Sequence, residues 1–141
     1  MAIGDMSPEE REAFLAGVHV GVLAIEQPGR GPHALPIWYQ YLGGNVVMRV
    51  DDASVKARLV RAAGRATLTV QSEEVPYKYV SVEGPAVVDD RSFDDLALAT
   101  RYLGDELGKW YADNNPPGGT GVVITLTPEH WRTYDFGKLF G

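Results

Sequence analysis

The residues of this 141-residue chain best suited to chemistry gather in one short stretch, Ser54-Val55-Lys56-Ala57-Arg58, with Arg61 one turn further on. A serine in front of a helical pattern caps the helix. The first N–H groups of that helix have no intrahelical partner, and the positive end of its dipole lies beside them. An anion is favoured there, and a first-turn lysine adds a mobile countercharge. The stretch reads in two ways: a helix start that holds a phosphate, or a capped surface helix whose cations are merely solvated.

The bulk numbers narrow the function classes. With 45% hydrophobic and 23% charged residues, positions 1–141 fit one domain able to bury a real core. A net charge of -6 argues against nucleic-acid binding, which relies on a surplus of Lys and Arg. The absence of cysteine removes disulfides, thiolate nucleophiles, iron–sulfur clusters and cysteine zinc sites. The acidic N-terminal stretch does not read as a signal peptide, and no apolar run approaches the roughly 20 residues of a membrane span, so a cytoplasmic, soluble protein is expected. His19, His33 and His130 are too scattered for a metal site, and no Ser-His-Asp set or H-E-x-x-H motif is found. His33 stands at the mouth of a strand, where it either touches a ligand or is simply exposed.

The elements that would position the Ser54 stretch follow from pattern. Ser7-Pro8-Glu9-Glu10 is a capping box opening a helix that ends near Ala16 and Gly17. Val18 to Ile25 reads as a strand buried on both faces. His33 to Leu42 reads as a second strand interrupted by Pro36, whose missing N–H restricts it to an edge, a bulge or a non-strand partner. Gly43-Gly44-Asn45 turns it into a hairpin with Val46–Val50. The Ser54 helix ends near Ala63, with Gly64 beyond it. Ala66–Gln71 and Tyr77–Val88 are strands four and five. Ser92 is expected to cap a helix whose stripe is Phe93, Leu96, Thr100, Leu103 and Leu107, covering a sheet face. A turn-rich loop at 113–119, a sixth strand at Val122–Leu126 and an aromatic tail with Trp131, Tyr134 and Phe136 complete the chain. Six short strands with helical crossovers suggest a small barrel of mainly β, α+β class.

The wording G-V-L-A (21–24), H-x-x-P-x-W (33–38), R-V-D-x-A-S-x-K-x-R (49–58), P-Y-x-Y-V-x-V-E-G (76–84) and V-x-L-T-P-x-x-W (123–131) resembles the pyridoxamine 5′-phosphate oxidase-like split β-barrel superfamily. More narrowly it resembles the actinobacterial flavin/deazaflavin oxidoreductases associated with coenzyme F420. The order and spacing of the five motifs carry the resemblance. It implies a six-stranded split β-barrel and a homodimer, with a flavin-type cofactor in the groove between two barrels. It places the cofactor phosphate on Ser54 and Lys56 and the turn around them (Val55, Ala57), with Arg61 nearby and Arg49 and Val50 on the preceding strand. Pro36, Ile37 and Trp38 match the strand along the ring system; Trp38 either lies on that ring or packs in the core. Tyr77 and Tyr79 share a strand face and would line the pocket or the dimer seam. Trp131 and Tyr134 match a tail that closes over the neighbouring subunit's site, or else docks on its own barrel. Three departures stand out: Val50 where Thr is common, Leu59 for Asn, and Gly64 for Pro. One hydroxyl contact to the phosphate is thereby lost, with Arg58 or Arg61 to compensate.

In such an enzyme the cofactor carries the redox chemistry and the protein supplies binding and shape. The resemblance implies F420-dependent hydride transfer to an electron-poor double bond of a small conjugated substrate. F420 is favoured over FMN because its acidic oligoglutamate tail suits a cationic groove, which Arg30, Lys56, Arg58 and Arg61 would provide. The alternatives are an FMN oxidase or reductase of the pyridoxamine-phosphate type, for which only Arg132 and Lys138 offer a second phosphate pocket, and a non-catalytic flavin-, F420- or haem-binding protein.

Overall fold

A computed structural model describes residues 2–114 and 120–141. Helix α1 (Pro8–Ala16) opens on the expected capping box: Ser7 Oγ accepts from Glu10 N–H, and the Glu10 carboxylate accepts from Ser7 N–H. Strand β1 (Gly21–Ile25) lies between β2 (His33–Ile37) and β5 (Arg65–Ser72), antiparallel to both. β3 (Gln40–Leu42) turns through Gly43-Gly44 into β4 (Asn45–Asp51). Helix α2 (Val55–Ala63) ends on Gly64, at φ 70°. After β5 come β6 (Lys78–Asp89), helix α3 (Asp95–Asn114), β7 (Gly121–Leu126), β8 (His130–Asp135) and a 3₁₀ turn at Phe136–Leu139.

The strand order is β2-β1-β5-β6-β7-β4-β3, with β8 also on β6. The long β6 belongs to two sheets. Its residues 78–85 pair with β5 and 78–83 with β8, whereas 86–89 pair with β7. The changeover falls at Gly84-Pro85, where the chain after β7 crosses closely: Thr127 N–H donates to the Pro85 carbonyl at 2.9 Å and Glu129 N–H to the Glu83 carbonyl at 2.8 Å. The curled antiparallel sheet encloses Leu23, Met48, Leu68, Val80, Val82, Ile124 and Leu126, all at most 1% exposed. Burying each such side chain contributes about 1.5–3 kcal/mol. Ala57, Leu59 and Val60 of α2 enter the same core, so packing fixes the helix whose start carries Ser54 and Lys56.

Several expectations are revised. Eight strands form among the described residues rather than six, because 33–42 divides at Trp38-Tyr39 and the aromatic tail becomes β8. Only the β3 half of that segment makes the hairpin with β4, while β2 returns onto β1. The first strand starts at Gly21, not Val18, and is not buried on both faces: Val22 is 41% exposed, and Val18 and Val20, which precede β1, are 55% and 54% exposed. Pro36 does sit on an edge strand, as its missing N–H requires.

Helix α3 departs further from its expected form. Its cap is Asp94, whose carboxylate accepts from Ala97 N–H, not Ser92. At Gly104 the backbone takes φ 84°, ψ 171°, which only glycine adopts readily, and the helix kinks. The buried face is not the expected stripe: Leu96 and Leu107 face outward while Leu98, Ala99 and Gly108 are buried, and the kink breaks the periodicity before Leu107. Rather than covering a sheet face, α3 braces the junction between β2 and β3. The Tyr102 hydroxyl accepts from Tyr39 N–H at 3.0 Å and lies 2.7 Å from the His19 carbonyl, to which it donates. Arg101 donates to the Ala16 and Gly17 carbonyls at the end of α1. Of the loop expected at 113–119, Asp113 and Asn114 close α3, and 115–119 lie outside the described residues. No described helix is long and apolar enough to cross a membrane.

The chain's two ends are tied together. Met6 N–H donates to Thr133 Oγ1, Asp135 N–H to the Gly4 carbonyl, and the Lys138 ammonium to Asp5 O and to Glu10 Oε1 at 2.7 Å. The Lys138 hydrogen bond, followed by those from Ser7, pulls the Glu10 carboxyl from 4.5 down to about 2. A carboxyl depressed in the folded state stabilises above its unfolded value and loses that contribution as pH falls. Glu10→Gln should therefore flatten the decline of stability between pH 4.5 and about 2, measured as the urea midpoint against pH. An unchanged slope would show that the tie contributes nothing in solution.

Candidate cofactor site

A groove of about 530 Å³ opens where α2 begins, between β2, β4 and α3. Its α2 end is built for an anion. Ser54 Oγ is committed to the cap, accepting from Ala57 N–H at 3.1 Å, while the Val55 and Lys56 N–H groups have no partner among the described residues. Lys56 lines the groove, and among the described residues no carboxylate lies within ion-pair distance of it. Arg49 comes from β4 beside it, its guanidinium packed close against Gly121. A Cβ at Gly121 would stand 2.5 Å from Arg49 Cζ, so the glycine makes the cradle. Phe93 lies 5.8 Å from the same guanidinium carbon, a cation–π contact.

Arg49 already has a carboxylate beside it. Its Nε lies 3.1 Å from Asp95 Oδ1, and Nη2 donates to Oδ2 at 3.3 Å. The Nε N–H does not point at that oxygen, however, and this buried atom is left without a hydrogen bond. An aligned acceptor would satisfy it, which suits a phosphate-like oxygen.

The other end of the groove is flat and aromatic. Pro36, Ile37 and Trp38 form one wall, and Tyr111 lies 5.3 Å from Trp38. Trp38 stacks on Tyr102 at 5.0 Å with 4° between the ring planes. Beneath it Tyr39 is fully buried, its hydroxyl donating to the Leu15 carbonyl at 2.6 Å; burial pushes that hydroxyl well above the usual phenol range.

The pyridoxamine 5′-phosphate oxidase family model matches residues 7–135. The chain belongs to this family. No curated protein matches the sequence. Among solved structures, a conserved hypothetical protein from Mycobacterium tuberculosis is similar at TM-score 0.81 and 23% identity, over 100% of this chain and 92% of that one. An F420 reductase is similar at TM-score 0.71 and 21% identity, over 89% of this chain and 98% of that one. A FAD-binding protein from Mesorhizobium loti is similar at TM-score 0.64 and 21% identity, over 91% and 94%. These likenesses show the split-barrel fold of the pyridoxamine 5′-phosphate oxidase family.

Of the residues singled out in the sequence, this family fold brings Pro36, Ile37, Trp38, Arg49, Val50, Ser54 and Lys56 to one groove. It does not bring the others there. Val55 offers only its backbone, and the Ala57 side chain is fully buried in the core. Arg61 turns back to the Asp52 carboxylate and carbonyl, and Arg30 bonds Gln27 within its turn, so neither lines the groove. Arg58 is exposed and does not line it either. Tyr77 and Tyr79 line a second hollow with Phe136. Trp131 packs against the core beneath Arg11, 4.4 Å away, and Tyr134 packs on Phe136 at 4.5 Å. The sequence reading missed Asp95, Tyr102 and Tyr111, all from α3. Asp95 was legible as a first-turn acid, but nothing in its spacing linked it to Arg49.

Proposed function

We propose that this chain is an F420-dependent oxidoreductase acting on small conjugated substrates. The observation that carries the reading is a single groove holding an anion-suited helix start at one end and an aromatic wall at the other. A planar ring system joined to a phosphate needs that combination. The likeness to an F420 reductase over 89% of the chain favours F420 over FMN. The expected array of cations lends this choice less weight, because of Arg30, Lys56, Arg58 and Arg61 only Lys56 lines the groove.

Bound F420 would supply a hydride from the reduced deazaflavin, with an electron-poor double bond as acceptor. The chain's part is to bind and orient: Lys56, Arg49 and the α2 N–H groups hold the phosphate, and Trp38 and Ile37 flank the ring. The accompanying proton comes from solvent or from a groove tyrosine, for which Tyr111 is placed. The homodimer belongs to the same reading. The exposed valines at and just before β1, Val18, Val20 and Val22, form an apolar surface of the kind a second copy covers.

Parallel titrations with F420 and FMN, followed by fluorescence quenching with light scattering for the dimer, test the proposal. Tight F420 binding with weak FMN binding is expected. The reverse would make the protein an FMN oxidase or reductase, and binding of neither would end the reading.

A further inference from the structure

The groove contains an anion of its own at the place an anion would bind. Arg49 and Lys56 line it, but so do Asp51 and Asp95, so its formal charge is balanced. Asp95 differs from Asp51 in being in contact with a cation. Its two oxygens lie 3.1 and 3.3 Å from Arg49 Nε and Nη2. The Arg49 side chain is 19% exposed and that of Asp95 34%, so the pair is only partly screened by water.

We propose that Asp95 is the resident counter-ion of Arg49, a carboxylate that an incoming phosphate must displace, so that this residue sets how tightly the groove holds an anionic cofactor. Three features support it. The guanidinium packs closely against Gly121, with the Phe93 ring 5.8 Å from its carbon, and lines the groove where an incoming anion would meet it. The contact is imperfect, with Nε buried and its N–H unaligned, so a better-placed acceptor has something to gain. The carboxylate also has an alternative: Asp95 opens α3 and is itself in the first turn, where its charge is stabilised by the helix dipole without Arg49.

The inference rests on the proposed cofactor site, and it makes a claim that a simple structural role for Asp95 does not. Removing the carboxylate charge should raise affinity rather than lower it. Asp95→Asn keeps size and leaves the Asp94 cap untouched. It is expected to tighten FMN and F420 binding by about two- to fivefold at low salt, as loss of a partly exposed competing ion pair implies. In an Arg49→Gln background the same substitution should change affinity little, because the competition has no cation to act on. A gain that persists in that background would mean only a general change in groove charge, and would overturn the proposal.

A second measurement separates the proposal from the reading beneath it. Inorganic pyrophosphate is titrated into the wild-type and Asp95→Asn proteins while the Arg49 Nε–H signal is followed by NMR. A shift of that signal at several-fold lower pyrophosphate in Asp95→Asn supports the resident counter-ion even if neither FMN nor F420 binds, in which case the cofactor reading alone fails. Equal or weaker pyrophosphate binding by Asp95→Asn shows that the carboxylate orients Arg49 instead of competing for it.

Discussion

Gly84→Ala should lower the melting temperature by about 10 °C or more, or leave the protein insoluble. The methyl group would stand 1.9 Å from the Thr127 carbonyl oxygen and 3.1 Å from the Glu129 nitrogen, both backbone atoms. Those atoms cannot retreat cheaply, because hydrogen bonds from Thr127 N–H to Pro85 and from Glu129 N–H to Glu83 pin the crossing chain on both sides of the glycine. Overpacking costs about 1–3 kcal/mol, and each disrupted hydrogen bond about 1 kcal/mol more. Together they take about 3–5 kcal/mol from a total that is about 5–15 kcal/mol for a typical domain. Gly31→Ala, at a site with nothing within 4 Å, is the control and should be nearly neutral. A melting temperature for Gly84→Ala within about 2 °C of wild type would show that the crossing is looser than described.

The largest functional effect is expected at Lys56. Its side chain lines the groove without a carboxylate partner among the described residues, whereas Arg49 is shared with Asp95. A hydrogen bond from a charged group contributes about 1.5–3 kcal/mol, so Lys56→Ala should weaken cofactor binding by about 10- to 100-fold. Fold should be preserved, since the core-facing residues of α2 are Ala57, Leu59 and Val60. Fluorescence titration of the variant, with its circular dichroism melt alongside, gives the answer. Wild-type affinity in a folded Lys56→Ala protein would return the Ser54 stretch to an ordinary capped helix.

Much of the fold was legible because local chemistry and tertiary structure agree. The Ser7 and Ser54 caps, the Gly64 stop and the Gly43-Gly44 turn each reflect a backbone requirement satisfied within a few residues. The groove's β2, β4 and α2 residues were also legible, since they sit in short motifs whose order is that of the family. What escaped is long-range. Whether β1 is covered on both faces depends on which other element lies over it, and its apolar run carries no such information. The tail reads as aromatic, but its pairing with β6 from Lys78 to Glu83 is decided by residues some fifty positions away. The contribution of α3 was hidden for a similar reason. Its expected stripe runs across Gly104, where the helix kinks, whereas the residues that meet Trp38 are Tyr102 before the kink and Tyr111 after it. Lys56, Arg58 and Arg61 show the converse error: like charges clustered in sequence are dispersed by side-chain direction, so that only Lys56 lines the groove.

The passage of β6 from one sheet into the other at Gly84-Pro85 bears on how the protein opens. Breaking the β6·β7 ladder at residues 86–89 pulls on the same continuous backbone that β5 and β8 grip at 78–85. Neither half can fray as an independent leaf, because the strand is a common spine with no slack at the crossing. Loosening is therefore expected at the strands held on one side only among the described residues, β2, β3 and β8. Of these, β2 supplies Pro36 and Ile37 to the groove and Trp38 follows it, so one wall that must admit a ligand belongs to a strand the spine does not hold.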